Sequence, residues 1–116
     1  MSNDRSTVIE TVLNFLRPLN ELQRQLRGFD WDFEGVPIVL HPDHIVRVLR
    51  RYLSGELTAS IVEQWANLIE GREDLRFDSK HEKWITDTVY ELANPVLTAP
   101  LEITRARELI AEGEGA

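Results

Sequence analysis

The sequence contains no cysteine. That excludes disulfide frameworks, thiolate metal centres and cysteine nucleophiles together. A small domain without disulfides is placed most simply in the cytoplasm. Positive charge is also scarce, with 13 Lys and Arg against 20 Asp and Glu and a formal net charge of -7. Such a field repels phosphate backbones and anionic bilayers, so nucleic acid is a poor general partner and a basic protein a better one. The same charge also serves plain solubility. No apolar run reaches membrane-spanning length, so no membrane partner is expected. The opening text "MSNDRSTVIETVLNFLRPLN" lacks the basic head and continuous apolar core of a signal peptide. A Gly-x-Ser-x-Gly elbow, a phosphate loop and a dinucleotide fingerprint are all missing. Ser6, Ser54, Ser60 and Ser79 fall at helix starts or ends, where capping explains them. No cofactor and no enzymatic activity are expected.

What is present is enough for one core. A chain of 116 residues with 42% hydrophobic and 28% charged residues fits a single globular domain spanning residues 1–116. Val8, Val12, Phe15, Leu16, Leu19, Leu22 and Leu26 recur at helical spacing, with Pro18 marking a kink or the meeting of two helices. The spacing is close to a heptad, so residues 8–26 could pair with a second copy, or pack within the monomer. In "FDWDFEGVPIVLH" the period changes to alternation, predicting a small β-hairpin or extended segment near residues 29–40. Pro42, Asp43 and Gly55 start and stop the next helix, whose inward face is Ile45, Val46, Leu49, Tyr52 and Leu53. Thr58 caps a further helix, with Trp65 on its apolar face and Gly71 as its stop. Leu75 and Phe77 alternate as a short extended piece. Ser79 and Glu82 form a capping box ahead of Trp84, Ile85, Val89 and Leu92, and Asn94-Pro95 ends that helix. "NPVLTAPLE" reads as a loop, followed by a last short helix. The expected fold is mainly α, a bundle of about five helices.

Three constellations stand out as candidate sites. His41, Asp43 and His44 carry ligand types suited to zinc, but they sit at a helix start where capping explains them and no further ligand converges on them. Arg47, Arg50 and Arg51 form a basic stripe. It could grip a nucleic-acid backbone or an acidic partner, or pair internally with Glu56 or the Asp-rich segment of Asp30 and Asp32. Trp31 with Asp30, Asp32 and Glu34 offers an aromatic anchor ringed by acids, as a binder of a basic protein would. If that segment packs down, its aromatics are core instead.

The stretches "YLSGELTASIVEQWANLIEGREDL" and "ELANPVLTAPLEITRARELI" cover most of residues 52–110. Their text resembles a group of small bacterial proteins of unassigned function, some labelled as immunity proteins that neutralise bacterial toxins. Acidity, small size and the lack of catalytic constellations lead to the expectation of a non-enzymatic interaction module; the resemblance implies an immunity-like role for it and carries no defined active site. Two other readings stand beside it: a nucleic-acid-associated regulator using the basic helix face, and a small metal protein or enzyme centred on the histidine cluster.

Overall fold

The structure is a computed structural model that describes residues 5–15, 18–26, 38–70 and 75–115, without the side chains of 5–7 and 26. Its elements run α1 (Arg5–Leu13), α2 (Leu19–Leu26), β1 (Ile38–Leu40), α3 (Pro42–Leu53), α4 (Ala59–Ile69), β2 (Leu75–Phe77), α5 (Glu82–Ala93) and α6 (Ile103–Gly115). The fold is mainly helical, as the apolar periodicity predicts.

Pro18 separates α1 from α2, and its carbonyl accepts from the amides of Glu21 and Leu22 to open the second helix. Phe15, just before it, takes a left-handed backbone with φ 50°. That conformation is costly for a bulky residue and persists only where its surroundings hold it. Here Arg51 Nη1 donates to the Phe15 carbonyl at 2.8 Å, and the guanidinium lies 5.0 Å from the ring centroid. Trp65 also stacks with the Phe15 ring, with centroids 6.4 Å apart.

Strand β1 falls inside the extended segment expected near residues 29–40, and its partner among the described residues is β2. The two pair in parallel, in the register Ile38 with Leu75, Val39 with Arg76 and Leu40 with Phe77. Parallel strands need a long crossover, and α3 and α4 supply it. Residues 29–37 lie outside the described residues, as does Gly71.

The helix boundaries follow local chemistry. Pro42 occupies the first turn of α3, and the His41 amide donates to His44 Nδ1 at 2.9 Å. Gly55 closes that helix with φ 86°. The Ile61 amide donates to Thr58 Oγ1 at 3.2 Å, so Thr58 caps α4 as expected. The box between Ser79 and Glu82 does not form. Asp78 Oδ1 instead accepts from the Lys80 amide at 3.0 Å, and the Asp78 carbonyl accepts from the His81 amide. This Asp-led turn places His81 at the cap position and leaves Ser79 too early in the chain.

The buried side chains form one apolar cluster, to which every helix contributes. Trp65 is fully buried and donates through Nε1 to the Val12 carbonyl at 2.7 Å, tying α4 to α1. Val12, Phe15, Leu19 and Leu22 are buried within the single chain, in line with packing inside the monomer. Helix α3 lies against α6, and α4 against α5.

Candidate protein-contact site

Two of the three constellations noted in the sequence fall among the described residues, and neither converges there on a reaction centre. His41 Nδ1 lies 2.9 Å from Asp78 Oδ2, and the His41 and His44 rings stack at 5.8 Å. The hydrogen bond from His41 holds the Asp78 carboxyl below its usual range, helped by the Lys80 amide. Burial lowers the pKa of His44; His41 and Arg47 act in the same sense and Asp43 opposes them. Asp43 points to Arg47 instead, at 2.8 Å in the i,i+4 relation. Among the described residues, no group of three His, Asp or Glu side chains is arranged to hold a metal ion.

The basic stripe is neutralised within the chain. Arg47 binds Asp43 and also donates to Asn14 Oδ1 at 3.2 Å. Arg50 pairs with Glu114, joining α3 to the end of α6. Arg51 pairs with Glu56, as expected, while its other nitrogen holds the Phe15 carbonyl. Trp31, Asp30, Asp32 and Glu34 lie outside the described residues.

The feature that stands free is the connection between α5 and α6. Val96 is 96% exposed and Leu97 71% exposed, with Ile103 and Tyr90 also presented to solvent. Burial would favour hiding such side chains, and a contiguous exposed apolar set marks contact surfaces. The loop that bears them is fastened. The amides of Leu97 and Thr98 both donate to the Asn94 carbonyl at 3.0 Å. Thr98 Oγ1 donates to the carbonyls of Asn94 at 2.9 Å and Glu91 at 3.2 Å. Asn94 Nδ2 donates to the Tyr90 carbonyl at 2.9 Å and to Glu70 Oε2 at 3.2 Å. Farther along, Tyr52 Oη donates to the Leu101 carbonyl at 3.3 Å. The apolar tips are therefore held out by a bonded backbone, and little ordering cost remains for an incoming partner.

Beside the loop is a cleft of about 190 Å³. Val62, Leu92, Pro95 and Leu101 give it apolar walls, and Glu63 and Glu91 add carboxyl groups. Arg105 grips Glu91 with two nitrogens, Nε at 2.7 Å and Nη2 at 2.8 Å. That pair holds the guanidinium protonated more firmly than usual and links α6 to α5 next to the cleft. Glu63 is half-buried, with no hydrogen-bond or ion-pair partner among the described residues.

The sequence reading treats this loop only as a connector. A signal for it was present: Val96 and Leu97 sit between prolines, outside any helical or strand period, so no element could turn them inward. Compared with known proteins, the chain matches no family model, no curated protein and no solved structure.

Proposed function

We propose that this chain is a non-enzymatic interaction module that binds another protein through the loop between α5 and α6, in the manner of an immunity-like inhibitor that occludes its target. The observation that carries the reading is the near-complete exposure of Val96 and Leu97 on a backbone fixed by hydrogen bonds. Apolar anchors that are already ordered lose little entropy on association, and a few such residues dominate binding energy. The net charge of -7 favours a basic target and steers its approach. The internal pairing of Arg47, Arg50 and Arg51 removes the α3 stripe as a competing basic face.

The test is affinity capture with the intact chain and with the paired change Val96→Asp and Leu97→Asp. Surface changes at such exposed positions shift stability by no more than about 0.5 kcal/mol. The variant therefore melts like the parent. It should lose a partner that the parent retains, by about a hundredfold in affinity if the loop supplies two hot-spot anchors. Equal retention of every captured protein by parent and variant would remove this loop as the contact surface.

A further inference from the structure

The cleft beside the loop has a composition that selects its occupant. Its walls are apolar at Val62, Leu92, Pro95 and Leu101, and it contains no lysine or arginine. Of its carboxyl groups, Glu91 is satisfied by the two-pronged grip of Arg105. Glu63 is not satisfied by any described residue. A purely apolar side chain entering here would strip water from the Glu63 carboxylate and return nothing to it. An acidic side chain would meet like charge. A side chain with a long methylene stem and a cationic end meets both demands, because the stem covers apolar wall while the head reaches the carboxylate.

We propose that this cleft receives a lysine or arginine side chain of the partner protein, its stem along Pro95 and Leu101 and its head against Glu63. The assignment rests on the protein-contact reading of the adjoining loop and specifies the partner's chemistry. The contacting segment of the partner carries apolar residues for Val96 and Leu97 and, beside them, one cation for the cleft. The chain's net charge of -7 favours the same sign.

The probes are two blocked tripeptides, acetyl-Leu-Lys-Leu-amide and the same peptide with norleucine in place of lysine, titrated into the intact chain and followed by amide NMR shifts. The lysine peptide should give saturable shifts at Ala59, Ser60, Glu63, Ala99 and Leu101. Norleucine keeps the stem and removes the charge, so it should bind about fivefold more weakly, the scale of one partly exposed ion pair. Glu63→Gln should bring the lysine peptide down to the norleucine level. Ala99→Leu, at an exposed position on the cleft wall, should fill the mouth and weaken both peptides without touching the core. Equal binding of the two peptides, no saturable shift, or an unaffected Glu63→Gln variant would each overturn the assignment. The capture experiment separates this idea from the broader one. If Val96→Asp with Leu97→Asp abolishes capture while Glu63→Gln keeps full affinity, the loop stands as the contact and the cleft assignment falls. If the loop variant captures normally, the contact reading falls and the titration alone decides the cleft.

Discussion

His44 holds the start of α3 through a lone pair. Its Nδ1 accepts the His41 amide at 2.9 Å, so that nitrogen cannot carry a proton while the cap is made. Burial is the main cause that lowers its pKa from the ordinary 6.5, followed by the neighbouring His41 and Arg47 charges. The unfolded chain then binds a proton that the folded chain resists, so stability is complete above pH 6.5 and is lost as pH falls through the folded value. Part of the ring meets water, which keeps the slope shallow. Asp78 acts in a separate, more acidic window. Its carboxyl is held below the ordinary 3.8 by His41, so its contribution is present above that value and disappears as pH falls through the depressed one. Thermal melts from neutral to mildly acidic pH should show a falling midpoint. His44→Gln keeps an acceptor for the His41 amide and has nothing to titrate, so its midpoint should be flat over the neutral-to-mild range and still fall at the acid end. A variant with the parent's slope in the mild range would place the titration elsewhere.

At the scale of elements, α6 approaches side chains of α3 and α5 closely at Gly113. A Cβ built on Gly113 would lie 2.7 Å from Trp84 Cη2 and 2.9 Å from Val46 Cγ2. Alanine would gain about 1 kcal/mol of helix propensity at this position. Against that, forcing a methyl into a packed seam costs about 1–3 kcal/mol. Val46 is buried, and Trp84 is tethered through Nε1 to Glu112 Oε1 at 3.1 Å, so neither yields easily. Gly113→Ala should therefore lower stability by about 1 kcal/mol, a drop of about 4 °C in the melting midpoint. An unchanged or higher midpoint would mean the seam relaxes freely. The helices themselves were legible because apolar spacing, Thr58, Pro18 and Gly55 are local signals. The pairing of β1 with β2 was not, because strand partners across an α3–α4 crossover leave no trace in either short segment. The false capping box failed for a related reason. Ser79 and Glu82 fit the pattern, but the turn led by Asp78 binds the Lys80 and His81 amides and delays the helix start, so that His81 takes the cap position. The contact loop was readable only as an absence of periodicity, since exposure depends on what the rest of the fold leaves uncovered.

For the molecule as a whole, charge and apolar contact divide the work of association. The arginines on α3 are bound to carboxylates of α3, the turn after it, and α6, so they cancel locally and leave the remaining carboxylates to set the outer field. In the proposed complex, that field would act at a distance and speed encounter with a basic partner, whereas Val96 and Leu97 would act only after contact and govern how long the complex lasts. The two contributions separate with salt. Raising ionic strength from about 0.01 M to about 0.15 M shortens the screening length from about 30 Å to about 8 Å. The association rate constant should then fall by about tenfold, within the range that electrostatic steering spans. The dissociation rate should change much less, because a desolvated apolar anchor is not screened by ions. Surface plasmon resonance on the captured partner reads both constants in one series. The Val96→Asp and Leu97→Asp chain should show the complementary pattern, with dissociation accelerated and the salt dependence of association preserved. An association rate indifferent to salt would mean that the acidic surface serves solubility and that approach depends on the loop alone.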